Sequence, residues 1–491
     1  MDVSDKQRFS VNSPPSRRQM LQRMGAGFPA LALLDVLSRD GFFARAAHGA
    51  ARDSATGGIL SQKPAHFEAK AKHAVFLFMN GAPSQVDTFD YKPVLTKFNN
   101  TPYKGDAVVG SNNRPIGNLM QTPFTFRQHG QSGLWITDLF PHTAKFADDL
   151  CVIRSCHTDT AAHASGCLQM NTGSVTIGKP SLGSWLSYGL GTENESLPSF
   201  VVMTDPRGGP ISGASNWTAG FMPAAFQGTL FRSKGAPLLN LKTPEGVSER
   251  TQREALDVLG DLNRQHLEAH PGESELAARI ESYELAYRMQ TAAVEAVDLD
   301  QESLQTRALY GLDDDLTADF GRKCLITRRL LERGVRFVQL YSGGGHIEDT
   351  WDGHNDCISN HKLHAGETDK PIAALMSDLK RTGLWDETLL IWGGEFGRTP
   401  TSEGVDKPGR DHDWQGFTMW LSGAGVKGGQ AIGTTDELGF KAEEEPCHVS
   451  DLHATILHLM GLDHTKLTYL YQGLDQRITG VRGNVVKKAL V

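Results

Sequence analysis

The 491-residue chain has no apolar run approaching the eighteen or more residues of a membrane-spanning helix, so no integral span is expected in it. It is also short of cysteine. Only six are present (Cys151, Cys156, Cys167, Cys324, Cys357 and Cys447), none in the C-x-x-C spacing of thiolate metal sites. An oxidising compartment would permit disulfides, but scattered cysteines do not specify their pairing. Positive charge is in deficit, with 49 Lys and Arg against 57 Asp and Glu and a formal net charge of −8. That balance argues against nucleic acid or an anionic membrane as the main partner. No internal repeat is visible. What is present, 39% hydrophobic and 22% charged residues, is the composition of a globular protein with a sizeable core. The length suits one large α/β domain or two ordinary ones.

The N-terminus reads as an address. Arg17 and Arg18 precede a modest apolar stretch from Phe28 to Leu37, and "ARAAHGA" supplies small residues suited to cleavage near Ala46. The paired arginines, with Ser16 before them and Met20-Leu21 after, look like a twin-arginine export signal. The expected division is a signal over 1–46, a linker over 47–70 and a folded domain over 71–491. Partnership with the twin-arginine machinery and a periplasmic or extracellular location follow from that expectation. Cleavage after Ala46 would remove seven Lys/Arg and four Asp/Glu, leaving the mature chain more acidic still.

Past residue 70 the pattern is that of alternating strands and helices. "AVFLFM" (74–79) is a continuous apolar run closed by Asn80-Gly81, as in a strand buried on both faces of a parallel sheet. Similar runs recur at 150–155, 199–204, 335–342, 388–394 and 417–423. Between them, Ile372, Leu375, Met376 and Leu379 keep helical spacing, with Pro371 near the start and Gly383 at the end. In "SDLHATILHLMG", Ser450 is a candidate N-cap and Gly461 a stop. Residues 245–310 are highly charged and read as a helical insertion. The fold class expected is α/β with a largely parallel central sheet sandwiched by helices.

Open parallel sheets bind ligands beyond the carboxyl ends of their strands, so polar residues just after the apolar runs are the candidates. Four segments pass. Asn80, Asp87 and Asp90 follow the first run, where a plain Asn-Gly turn and a helix cap are the bland reading. His157, Asp159, Thr160 and His163 follow the second, with Ser165 and Cys167 close behind. A Thr or Ser at a strand-to-helix turn can be an exposed nucleophile, the bland reading being a capped polar loop. The third, "SGGGHIEDTWDGHNDCISNHKLH", holds His346, Asp352, His354, His361 and His364. Asp352-x-His354 offers oxygen and imidazole donors suited to zinc, manganese or another divalent ion. The fourth joins "LIWGGEFGRTP" (390–400), with Glu395 and Arg398, to Arg410, Asp411 and His412. There the two glycines are expected to let the backbone approach a ligand closely. Carboxylates, histidines and arginines at one edge suit a metal-assisted site for an oxyanion ester.

"FLFMNGAPSQVDTFD", "WDGHND", "GGEFGRTP", "GRDHDWQGFTMWLSGAGVKGG", "HVSDLHATILHLMGLDH" and "YQGLD" follow one another in this order. In these segments the chain resembles the secreted bacterial family called domain of unknown function 1501, over nearly all of its length after the signal. That family resembles, more distantly, the alkaline phosphatase and sulfatase superfamily. The resemblance implies an alkaline phosphatase-like core and a site for a divalent metal ion (zinc, calcium, magnesium or manganese). It places Asn80 where the superfamily has a metal-binding Asp, and Thr160, Ser165 or Cys167 where it has its nucleophile. Asp352, His354 and His412 fall at ligand positions, while Glu395-Phe396 replaces an Asp-His pair. The sulfatase signature, Cys or Ser followed by x-Pro-x-Arg, is absent.

The function so implied is an exported metal-dependent hydrolase of phosphate or sulfate esters, acting on a small-molecule or polysaccharide ester. Asp352, His354, Glu395 and His412 are expected to hold the ion, with Asn80 or Asp87 contributing. Thr160 is the expected nucleophile or water-positioning group, His163 the acid or base, and Arg398 or Arg410 the oxyanion clamp. The alternative is a binding protein of the periplasm or surface that has kept the fold without the reaction.

Overall fold

His73–Met79 forms strand β1, and all seven residues are buried. Its side chains alternate between two cores, as the period of a strand requires. Ala74, Phe76 and Phe78 enter one core, while Val75, Leu77 and Met79 enter the other. A strand covered on both faces has no use for polar alternation, which is why the run reads as uninterrupted hydrophobicity. The chain is seen in a computed structural model that describes residues 59–105, 116–232, 234, 235, 238, 246–269, 274–345, 347–404 and 406–491. The expected signal, residues 1–46, lies outside the described residues, as does His346.

The other strands of the main sheet are β2 (Cys151–His157), β3 (Phe200–Met203), β4 (Thr229–Leu230), β5 (Phe337–Ser342) and β6 (Thr388–Gly393), then β7 (Phe417–Gly423), β8 (Gln430–Ile432) and β9 (Cys447–His448). Their order is β8-β2-β7-β6-β1-β5-β3-β4, with β9 also pairing on β2. β1 is parallel to β5 and β6, and β7 alone runs antiparallel to both its neighbours, β2 and β6. The sheet is therefore largely parallel, as expected. The single reversal decides the geometry of the site. It brings the exits of β1, β2, β5 and β6 and the approach to β7 to the same sheet edge.

Helices cover both faces. α1 (His163–Thr172), α2 (Leu182–Leu190) and α7 (Val449–Leu459) bury Met170, Trp185 and Ile456 in the first core. α5 (Ala318–Leu331) and α6 (Cys357–Thr382) bury Leu325, Leu330, Leu375 and Leu379 in the second. Between α2 and α5 lie α3 (Glu249–Ala269) and α4 (Ser274–Val297), within the stretch read as a helical insertion. Among the described residues no helix is long and apolar enough to cross a membrane. Residues 59–70, read as the end of a linker, lie along the body. Lys63 N donates to Leu190 O, His66 N to Gly461 O and Lys70 N to Leu459 O, each at 2.9 Å.

Two helix boundaries differ from expectation. α6 does not begin near Pro371 but runs from Cys357 straight through it, capped by Asp356, whose carboxylate accepts from Ser359 N. The buried face formed by His361, His364, Ala365 and Thr368 continues the stripe beyond the proline, and tertiary burial outweighs the lost helical hydrogen bond. α7 is capped by His448 rather than Ser450, with Asp451 closing a capping box. All six cysteines are buried free thiols.

The same extension turns two of the candidate histidines, His361 and His364, into core residues. His361 is fully buried on α6 and its Nε2 accepts from Ser84 N at 2.9 Å. Burial pushes its pKa down to about 3. His453 on α7, bonded to Met170 O at 2.7 Å, is pushed down to about 4 by burial. Both rings stay neutral in the fold and take up protons on unfolding. Stability is thus complete above the unfolded value near 6.5 and falls as the pH drops from there towards 4. From pH 7 to pH 5 the loss is expected to be about 2 kcal/mol per ring, read from urea midpoints. His361→Gln, which keeps an acceptor for Ser84, should flatten the profile; an unchanged slope would remove His361 from this role.

Candidate metal centre

His163 is the first residue of α1 and follows the turn leaving β2. Asp352 and His354 lie in the loop leaving β5. His412 sits in a two-residue strand paired with Gly397–Arg398 just beyond β6, so Arg398 lies opposite His412. One ligand atom from each of His163, Asp352, His354 and His412 lies within 4.8 Å of every other. Asp352 Oδ1 is 3.1 Å from His354 Nε2 and 3.3 Å from His412 Nε2, and its Oδ2 is 3.2 Å from His163 Nε2.

The other nitrogen of each ring is engaged from behind. His163 Nδ1 meets Glu395 Oε1 at 2.6 Å, His354 Nδ1 meets a carboxylate oxygen of Glu403, and His412 Nδ1 meets Ala161 O at 2.7 Å. All three partners are acceptors, so each Nδ1 carries the proton and donates it. Each neutral ring then presents the lone pair of Nε2 to the common centre, the outer arrangement of histidine metal sites. The consequence is a conflict. His354 Nε2 and His412 Nε2 stand 2.8 Å apart, two acceptors facing each other. A proton on one of them, or a cation between them, resolves it.

The electrostatics agree with that account. Burial pushes the His412 ring down to about 4, helped by Arg398 and His163 and opposed by Asp352. Burial also pulls His354 down, and Arg398 adds to that, but the hydrogen bond and charge of Asp352 together with the hydrogen bond to Glu403 outweigh them and the net shift is upward. His163 likewise ends raised, because Asp352 and Glu395 overcome its burial. Its Nε2 is buried with no hydrogen-bond partner of good geometry. Asp352 would be raised by burial, yet the Arg398 guanidinium and the three imidazoles hold it far below the carboxylate range.

Two of the expected ligands and clamps act one step back. Glu395 is fully buried; besides His163 it accepts from Gly81 N at 2.9 Å. Gly81 has φ +101°, and a Cβ there would lie 2.6 Å from Asp352 N, so only glycine fits. Arg398 is fully buried, pairs with Asp352 at 2.5 Å, and donates to the carbonyls of Ala82 and Gly81. It faces no solvent from which an oxyanion could arrive. Gly394, expected to admit a ligand, instead lets the backbone pass β1's exit, since its Cβ would stand 2.6 Å from Met79 O.

Four expected site residues are not in the cluster. Asn80 spends its amide on Gly343 O at 3.2 Å and takes a thiol contact from Cys167 at 3.7 Å. Asp87 and Arg410, both fully buried, pair with each other at 2.6 Å and 3.0 Å. Each neutralises the other, so Asp87 keeps no ligand position and Arg410 no free clamp. Thr160 lies in the β2–α1 turn, where its Oγ1 accepts from Ala162 N at 3.2 Å; it lines a separate depression with Asp159, Ser165 and Gln169. In the other direction, Glu403 and the Ala161 carbonyl were not expected. A residue serving through its backbone carries no sequence signal, and Glu403 lies five residues past Arg398 in an ordinary polar turn.

Residues 71–490 match the family described as "Protein of unknown function (DUF1501)". The chain belongs to this family. A comparison with curated proteins finds no match. Among solved structures, this DUF1501 chain is similar to TAB5 alkaline phosphatase, a His135Glu mutant with Mg bound in its M3 site, at 12% identity and TM-score 0.34, covering 81% of this chain and 99% of that one. It is also similar to a protein in the alkaline phosphatase superfamily from Vibrio parahaemolyticus (12%, TM-score 0.35, 82% and 70%). A third is the lipoteichoic acid synthase LtaP from Listeria monocytogenes (10%, TM-score 0.33, 86% and 78%). Likenesses at these scores assign no chemistry to the DUF1501 chain.

Proposed function

We propose that the protein is an exported, metal-dependent hydrolase of phosphate or sulfate esters. The observation that carries the metal is the convergence of three imidazole Nε2 atoms on Asp352, with every Nδ1 donated outward. Donors of this kind, three nitrogens and a carboxylate oxygen, fit zinc or manganese better than the all-oxygen preferences of calcium and magnesium. His163, His354, His412 and Asp352 would hold the ion. Glu395, Glu403 and the Ala161 carbonyl would fix the rings, and Arg398 would fix Asp352. A divalent ion there supplies Lewis-acid polarisation of an ester oxygen. The class of ester rests on the more distant resemblance of the family to phosphatases and sulfatases.

On this reading His163 is a ligand rather than an acid or base. Thr160 stays the candidate hydroxyl for direct attack, in the turn that also supplies Ala161. Thr160→Val separates the two routes: direct attack is lost, whereas attack by water is slowed only through positioning. A non-catalytic binding protein of the same fold is the second reading. The internal commitment of both Arg398 and Arg410 favours it, since neither is free to clamp an oxyanion.

Elemental analysis of protein purified without added metal, followed by assays on aryl phosphates and aryl sulfates, tests the proposal. A bound transition metal near one per chain, and turnover that chelation removes and zinc or manganese restores, are expected. A chain that carries no such ion and binds none when supplied would end the hydrolase reading. Stoichiometric ion without turnover on any ester would leave the binding protein.

A further inference from the structure

Two of the six buried thiols stand against each other. β9 pairs with β2 in parallel register, which sets Cys447 opposite Cys156 and His448 opposite His157. Residues in register on neighbouring strands point to the same face of the sheet, and both thiols enter the first core. Burial pushes the Cys156 thiol well above its ordinary value, and hydrogen bonding with Cys447 pushes it further. Adjacent strands lie about 4.8 Å apart, inside the roughly 4.4–6.8 Å between Cα atoms that a disulfide spans. β9 has only two residues, so the small approach that a bond requires displaces no long ladder.

The other four cysteines meet different groups. Gln430 Nε2 donates to Cys151 Sγ at 3.8 Å, Cys167 faces Asn80, and Cys357 lies 3.8 Å from Asp87 and 3.5 Å from His361. Cys324 is buried in the second core. A shared ion does not account for the facing pair. Among the described residues no third His, Cys, Asp or Glu joins Cys156 and Cys447 in a cluster of ligand atoms within 4.8 Å of one another.

We propose that Cys156 and Cys447 are joined by a disulfide in the exported protein, fastening β9 to the end of β2. The proposal rests on the export reading for its oxidant alone, a disulfide carried by a small molecule or a thiol oxidase in an oxidising compartment. The thiolate of one cysteine attacks a sulfur of that donor and releases one thiol. The thiolate of the second then attacks the mixed disulfide and releases the other. The two electrons and two protons of the pair end on the donor's two thiols. Burial covers both sulfurs once β9 has docked, so exchange proceeds while β9 is lifted from β2. The bond secures more than an edge strand. β2 leads through Asp159 and Ala161 to the metal ligand His163, and Asp159 meets His448 Nε2 of β9 at 3.2 Å.

Thiol counting and peptide mapping test it. The full chain, produced in a bacterial host with an oxidising periplasm and alkylated before lysis, is digested without reductant. Four of the six thiols should be alkylated, and one cross-linked peptide should hold Cys156 and Cys447. In a second arm, chain purified from a reducing cytosol is treated with glutathione disulfide in dilute urea, and the same pair should form. Pairing in the second arm with six free thiols in the first would uphold the bond and overturn the export. Six free thiols in both arms, or a disulfide at another pair, would overturn the proposal and leave two thiols that only pack. A phosphine reductant should lower the thermal midpoint of the oxidised wild type by about 5 °C. It should leave Cys447→Ala, which cannot form the bond, unmoved. An equal fall in both would also overturn the proposal. If Cys447→Ala fails to fold, the wild-type peptide map decides alone.

Discussion

Asp352→Asn is expected to weaken zinc binding at least a hundredfold, on the scale by which metal sites respond to altered ligands. The substitution keeps the shape of the side chain and removes its charge. All three Nε2 atoms lie within 3.3 Å of this one carboxylate, so its loss leaves the imidazoles without the anion that draws a cation between them. Arg398, buried and 2.5 Å away, then becomes an uncompensated positive charge next to the ion position. Glu395→Gln is the informative companion. It touches no ligand position, yet its amide can turn either oxygen or nitrogen to His163 Nδ1 and so no longer dictates the tautomer. A fall of about ten- to a hundredfold in zinc affinity is expected from it. Equilibrium dialysis reads both. Undiminished affinity in Asp352→Asn would mean that an ion binds elsewhere, with His354, Glu403 and Asp411 the first place to look.

The fold was legible because its strands are buried on both faces. Hydrophobic runs with no polar alternation, such as Ala74–Met79 and Leu389–Trp392, are hard to place anywhere but in a covered sheet. The short strands β4, β8 and β9, of two or three residues, carry too little pattern to be read. At the site, residue type was legible and partnership was not. His163, Asp352, His354 and His412 were all candidates, but their roles depend on which group stands behind each ring. Those groups come from 49 to more than 200 residues away along the chain: Glu403 serves His354, Glu395 serves His163 and Ala161 serves His412. The two arginines misled for a related reason. A guanidinium near a candidate site reads as an anion clamp until burial shows it bonded to Asp352 or to Asp87. His361 and His364 misled because helix α6 crosses a proline that usually marks a start.

The Asp87–Arg410 pair should dominate the stability of this sheet edge. Both groups are fully buried, and the guanidinium meets the carboxylate through two bonds while also donating to Met120 O at 3.2 Å and Thr399 O at 3.3 Å. The pair joins β1's exit to the approach of β7, the antiparallel strand that closes the site. Burial alone would raise the Asp87 carboxyl; Arg410 reverses the shift and holds it below the usual value. The stabilisation is therefore present above the unfolded carboxylate pKa and lost as pH falls through the lower folded one. Arg410→Met at pH 7 strands a buried carboxylate, and the expected cost is about 3–5 kcal/mol in urea unfolding. Asp87→Leu should cost a comparable amount by stranding the guanidinium. The double variant removes both charges, and a pair of well-packed apolar side chains can match a buried ion pair. It should therefore recover most of the loss, with a coupling energy of at least about 2 kcal/mol. Zinc affinity in the double variant should stay near wild type, because neither side chain reaches the imidazole cluster. Additive losses in the double variant would show that the two residues act separately. A collapse of zinc binding without a collapse of the fold would return Asp87 to the ligand role that its position in the sequence first suggested.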